Sequence, residues 1–175
     1  GWAVWSLVQP IQSEDPVAAY YGQQNEIRIS DLSQAQEDLQ LLHALGVEHA
    51  AGIIDFNGRL LMQRLYGTPE AAAYLEKQIR QAAGQGLLDL TPGEIDMFFR
   101  EPEQDPALYW ILLVAEAKAA GCTVSQEQAE SILKQVFSTF SPQAADPMQI
   151  VDTIAAKQKV SRLKIIQIFA DLLAI

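Results

Sequence analysis

Residues 105–137, DPALYWILLVAEAKAAGCTVSQEQAESILKQVF, contain the end of one predicted helix and the start of the next. Gly121 suits the left-handed position that follows many helix C-termini. Ser125 and Gln128 have the spacing of a capping box, in which each side chain accepts a hydrogen bond from the other residue's backbone N–H. The stretch therefore predicts two helices joined by a short connection that is capped on both sides.

The two helices differ in how their apolar residues are distributed. The first, predicted for residues 107–120, has large apolar side chains almost all the way round, so we expect it to be buried on several sides. We predict that it is the central helix of the fold. The second has a single apolar stripe at helical spacing, formed by Ala129, Ile132, Leu133, Val136, Phe137 and Phe140.

Proline positions extend the helical pattern to the rest of the chain. Six of the eight prolines directly follow Ser, Thr or Asp, which favour the N-cap position, and proline itself suits the first helical turn. These pairs are Asp15-Pro16, Thr68-Pro69, Thr91-Pro92, Asp105-Pro106, Ser141-Pro142 and Asp146-Pro147. Apolar periodicity then predicts further helices at about 31–45, 69–83, 92–99, 147–158 and 161–174. We expect a mainly α fold.

One stretch, GIIDFNGRLLMQRL at residues 52–65, departs from the helical pattern. Asn57-Gly58 lies between two apolar runs and is typical of a tight turn whose central residues need positive φ. We therefore expect a short β-hairpin near residues 53–62. The alternating sequence EIRIS at residues 26–30 predicts another short strand.

Charge and motif content disfavour several classes of function. The chain has 22 acidic and 12 basic residues, a formal net charge of −10, whereas nucleic-acid binders need a basic surface. Cys122 is the single cysteine, so no internal disulfide can form. The two histidines, His43 and His49, match no metal-binding motif. No GxGxxG, P-loop or GxSxG motif occurs. We assign no catalytic, cofactor-binding or metal-binding residue and do not expect an enzyme.

The first residues, GWAVWSLVQP, form an apolar run that is too short to cross a bilayer, which takes about 20 residues. Two interpretations of Trp2 and Trp5 stand equally: indoles at the headgroup level after an upstream transmembrane helix, or rings packed on the domain. Under the membrane interpretation, residues 1–15 are a membrane-proximal segment. A break at QAAGQG then divides the rest into a helical part with the hairpin, residues 16–84, and a purely helical part, residues 85–175.

Aromatic residues are the best candidates for a binding surface. If the helices pack closely, these aromatic residues belong to the core. If the helices leave a gap between them, the same residues form an apolar groove that can bind an extended peptide. The candidate peptide-binding residues are Phe98, Phe99, Tyr109, Trp110, Phe137 and Phe140.

The stretch LLVAEAKAAGCTVSQEQAESIL resembles the N-terminal chaperone domain of the SurA and PpiD type, found in bacterial cell-envelope chaperones that often carry parvulin prolyl isomerase domains. The family's helix end and next helix start are matched by Leu112, Glu116, Ala117, Gly121, Val124, Ser125 and Glu127. Its final helix is matched by VSRLKIIQIFADLLAI, through Val160, Ser161, Ile166, Leu172 and Leu173. The resemblance covers about residues 105–175, and the segment 59–105 is longer than in the family.

The resemblance implies an orthogonal multi-helix domain over residues 85–175 that holds unfolded or partner polypeptide on apolar helix faces. It implies a periplasmic or other extracytoplasmic location, and the membrane interpretation of Trp2 and Trp5 adds an inner-membrane anchor upstream of the chain. Because no parvulin domain is present in these residues, prolyl isomerisation is assigned to none of them. Two alternatives stay open: a dedicated interaction subunit of a membrane-associated complex, and a non-catalytic fragment of a prolyl isomerase.

Overall fold

The computed structural model describes residues 14–47, 56–100, 105–140, 142–143 and 146–175. Within these ranges the chain is mainly helical and has one two-stranded antiparallel hairpin, so the expected fold class is confirmed. The strands are β1 (Val17–Tyr21) and β2 (Asn25–Arg28). The helices are α1 (Ile29–Ala44), α2 (Phe56–Tyr66), α3 (Pro69–Gly84), α4 (Pro92–Arg100), α5 (Pro106–Ala119), α6 (Gln126–Phe140), α7 (Met148–Gln158) and α8 (Arg162–Ala174).

The capped connection between α5 and α6 is formed as its sequence predicts. The backbone N–H of Ser125 donates to Gln128 Oε1 at 3.1 Å, and the N–H of Gln128 donates to Ser125 Oγ at 3.1 Å. Gly121 has a φ of +74°, in the left-handed region. Thr68 and Asp105 also cap the helices that follow them, α3 and α5. Local chemistry therefore fixes where these helices begin and end.

The hairpin predicted near residues 53–62 is wrong, because residues from Phe56 onward form α2; residues 53–55 lie outside the described ranges. Leu61, Met62 and Leu65 recur at helical spacing, and the last two are buried in the core. Their packing outweighs the Asn57-Gly58 turn signal, which falls in the first turn of α2, where a weak helix former costs least.

The hairpin of this fold lies earlier in the chain, between β1 and β2. Tyr20 pairs with Glu26 across it, so the strand predicted from EIRIS is confirmed for its first three residues. Asp15 does not begin a helix with Pro16. Its carboxylate instead accepts hydrogen bonds from the backbone N–H and the hydroxyl of Ser30, at the start of α1. These bonds from Ser30 hold the pKa of Asp15 below its ordinary value.

The core is organised around α5 and α8. Helix α5 packs against α1, α2 and α8, and Trp110 in its first half is only 3% exposed. Helix α8 also packs against α6 and α7, and its Ile165 is completely buried. Helices α3 and α4 pack on each other, and their buried Ile79 and Ile95 lie outside the main core cluster. The domain division at residues 84–85 stays a prediction.

We expect alanine substitution at two glycines to have opposite effects on stability. In neither case does an added methyl group meet an atom within 4 Å, so packing is unchanged. Gly121→Ala should lower the free energy of unfolding by about 1–2 kcal/mol, because its φ is left-handed. Gly84→Ala, at the end of α3, should raise it by about 0.5–1 kcal/mol. Urea unfolding followed by circular dichroism measures both, and two shifts of the same sign would contradict the assignment.

Candidate functional site

An apolar cavity of about 520 Å³ lies where α2, α5, α6 and α8 meet. The segment that follows α1 contributes Leu45 and Val47, and α4 contributes Phe98. Helices α5, α6 and α8 contribute most of the remaining lining, chiefly Tyr109, Leu113, Leu133, Phe137, Phe169 and Leu172. The cavity therefore draws on residues that are far apart in the chain, from Leu45 to Ile175.

The cavity reaches the protein surface. Ile132 on α6 is 37% exposed and Ile175, directly after α8, is 41% exposed, and both belong to the lining. Leu133 and Phe137, on the buried side of the same α6 stripe, are at most 7% exposed. The apolar stripe of α6 thus passes from the core to the rim of the cavity, where a molecule from solvent can contact it.

The chemistry of the lining is restricted. All described side chains of the lining are uncharged, and the hydroxyl of Tyr109 is the one polar side-chain group among them. The described side chains of this lining include no carboxylate, imidazole or thiol, the side chains that usually bind metal ions. In the described ranges as a whole, no group of three or more His, Cys, Asp or Glu side chains is placed to hold a metal. This cavity can bind apolar groups by burial and shape.

The structure brings together three of the six aromatic candidates. Phe98, Tyr109 and Phe137 all line the cavity. Phe99 contacts the Phe98 ring edge to face, with centroids 4.9 Å apart. Trp110 is buried on another side of α5. The side chain of Phe140 lies outside the described part of the structure, as do Trp2 and Trp5.

Sequence reasoning missed most of the aliphatic wall. Leu60, Leu61 and Met62 line the cavity from α2, the segment that was predicted as a hairpin. The signal that would have found them is the helical spacing of Leu61 and Leu65. Leu172 and Leu173 were noted as helix anchors of the family resemblance, and both also line the cavity.

Two arginines hold α4 in the position that presents Phe98 to the cavity. The guanidinium of Arg64, on α2, donates to the backbone carbonyl of Phe98 and lies 4.4 Å from the centroid of its ring. Arg80, on α3, bridges Glu76 and Asp96, the latter on α4. The hydrogen bond from Arg80 holds the pKa of Asp96 below its ordinary value. The position of Phe98 in the cavity lining thus depends on the contacts of Arg64 with Phe98 itself and on the ion pair between Arg80 and Asp96.

No protein-family model, curated protein or solved structure matches this chain. In the described ranges, no helix is both long enough and apolar enough to cross a membrane. The resemblance to the SurA and PpiD type therefore stays a prediction.

We expect Asp96→Asn to lower stability in a pH-dependent way. Because the pKa of Asp96 is lowered in the folded state, its interaction with Arg80 stabilises the fold above an aspartate's ordinary pKa of about 3.9. This stabilisation is lost as the pH falls through the lowered pKa. The variant should therefore unfold at lower temperature than the wild type at pH 7, and the difference should shrink below about pH 4.

Thermal unfolding across this pH range measures the effect. Asp89→Asn is the matched control, because Asp89 is exposed and forms no ion pair with a described residue. A constant difference between Asp96→Asn and the wild type over the whole pH range would contradict the assignment.

Proposed function

We propose that this chain is a non-catalytic, chaperone-like domain that holds apolar segments of unfolded or partner polypeptide. The observation that carries the proposal is the cavity of about 520 Å³ with an uncharged lining and an exposed apolar rim at Ile132 and Ile175. Pockets of about 300–1,000 Å³ suit small organic groups, including a few large side chains of one peptide.

The mode of binding follows from the lining. Each square ångström of apolar surface removed from water contributes about 25 cal/mol, and this contribution has no direction. A lining with one polar side-chain group does not discriminate between peptide sequences by hydrogen bonding. The domain is therefore suited to several clients that share apolar side chains, each bound weakly, and it is poorly suited to one defined polar ligand.

The family resemblance supports the same function. Its matched residues Leu172 and Leu173 also line the cavity. With it we propose a place in the bacterial cell envelope, outside the cytoplasm, with a membrane anchor upstream of residue 1. A parvulin domain, if the full-length protein has one, lies outside these residues.

We expect Ile132→Glu to weaken the binding of unfolded polypeptide about tenfold, because a carboxylate at the rim is desolvated when an apolar segment enters. Leu163→Glu is the matched control: Leu163 is 55% exposed on α8 and does not belong to the described lining. Both positions are exposed enough to accept the change without loss of the core. Affinity is measured by fluorescence anisotropy of a labelled, permanently unfolded protein. Equal affinities of Ile132→Glu and the wild type would overturn the assignment of the cavity.

The breadth of clients tests the function itself. The wild type should slow the aggregation of at least two unrelated denatured proteins, and Ile132→Glu should do so less well. Failure with every unfolded protein, together with one stable partner that co-purifies from detergent-solubilised envelopes, would favour the dedicated interaction subunit instead.

A further inference from the structure

A second groove, of about 560 Å³, lies between the β-hairpin, α1 and α5. No described residue lines both this groove and the apolar cavity. Its floor is apolar and includes Trp110, Ile111 and Val114 on α5 and Ile27 on β2. The groove therefore lies against the central helix α5 but is separate from the cavity.

The sides of this groove are strongly acidic. Four carboxylates line it, those of Glu26, Asp31, Asp38 and Asp171, whereas Lys118 is the one cation among its described lining residues. We call it the acidic groove. Its formal charge, four negative against one positive, gives it a potential that attracts cations and repels acidic peptides.

Three of these carboxylates have partners within the fold. Glu26 lies 2.6 Å from a guanidinium nitrogen of Arg28, and Asp31 accepts the backbone N–H of Arg28 at 2.8 Å. Asp171 lies 4.0 Å from Lys118 Nζ. The fourth carboxylate, Asp38, has hydrogen-bond partners in the fold but no ion pair with a described residue.

Asp38 lies half-buried on α1, beside the floor of the groove. Its carboxylate accepts a hydrogen bond from Gln34 at 3.1 Å, and the part of the chain that the structure describes provides it with no ion pair. Burial raises the pKa of Asp38, against the opposing effects of hydrogen bonds from Gln34 and Trp110 and of the charge of Lys164. Lys164 acts on Asp38 without forming an ion pair with it, so this partly desolvated anion is stabilised further by a cation that comes within contact distance.

We propose that the acidic groove docks a polypeptide segment that carries lysine or arginine. The aliphatic stem of such a side chain packs along Ile111 and Val114, and its charged head pairs with Asp38. Lysine and arginine suit this surface because each joins an apolar stem to a cationic end, whereas a free metal ion would leave the apolar floor exposed. The proposal does not depend on the function of the cavity.

The test uses the full 175-residue chain and three synthetic peptides of equal length, with Leu alternating with Lys, with Gln or with Glu. Isothermal titration calorimetry at low salt should show that the Lys peptide binds most tightly and the Glu peptide least. The preference for Lys should disappear in about 1 M salt, where charges are screened beyond roughly 3 Å. Equal binding of the three peptides at low salt would overturn the proposal.

Substitutions in the acidic groove then test whether the Lys peptide binds there. Asp38→Asn should weaken its binding about fivefold, because the charge is removed while the side chain still accepts a hydrogen bond. Glu37→Gln is the matched control, since it removes the same charge from the neighbouring, exposed position outside the groove. If Asp38→Asn does not fold, Asp171→Asn tests the same groove from α8. Unchanged affinity in the folded variant would overturn the proposal.

The cavity variant separates this inference from the proposed function. Ile132→Glu should keep the wild-type preference for the Lys peptide over the Gln and Glu peptides, because Ile132 does not line the acidic groove. Loss of Lys-peptide binding in Ile132→Glu would place the peptide in the cavity and overturn the acidic groove as its site. Conversely, a failure of the chain to hold unfolded proteins leaves the expected result for Asp38→Asn unchanged.

Discussion

The burial of α5 is the constraint on which the rest of this structure depends. Its sequence is apolar almost all the way round, so a single packed face cannot remove it from water. The fold meets this requirement with α1, α2 and α8 on different sides of the helix. The side chains from Leu108 to Ala115 are accordingly all buried or half-buried, and both the apolar cavity and the acidic groove have α5 as a wall.

The cavity arises from how the connection after α5 directs the chain. Gly121 ends α5 and Ser125 starts α6, and α6 then packs mainly against α8. Helix α8 lies against both α5 and α6, so the facing apolar residues Leu113 and Val136 line a shared space instead of interlocking. Because this space opens to solvent at an apolar rim, it is the feature on which the proposed binding of apolar segments rests.

Local capping signals made much of the fold predictable from the sequence. The parts that depend on packing between distant residues were not predictable in this way. Caps and proline positions located α3 to α8 within a few residues, because these signals act over one helical turn. The Asn57-Gly58 signal failed because it is equally local, while burial of Met62 and Leu65 against the core favoured a helix. Tyr109 and Trp110 were grouped as one aromatic surface, but consecutive helical residues point about 100° apart, so Tyr109 lines the cavity and Trp110 the acidic groove.

The apolar cavity and the acidic groove also relate to two opposing features of the composition, its high hydrophobic content and its high negative charge. A chain with 49% hydrophobic residues that keeps apolar surface open to solvent tends to associate with itself, and a formal charge of −10 opposes this through repulsion between copies. In the functions proposed above, the same charge acts on a client, because the acidic groove would attract basic segments and the cavity would bind apolar ones. Polypeptides that alternate basic and apolar residues meet both requirements, whereas acidic chains, including a second copy of this protein, do not. If both proposals hold, charge supplies the selectivity that a purely apolar surface lacks.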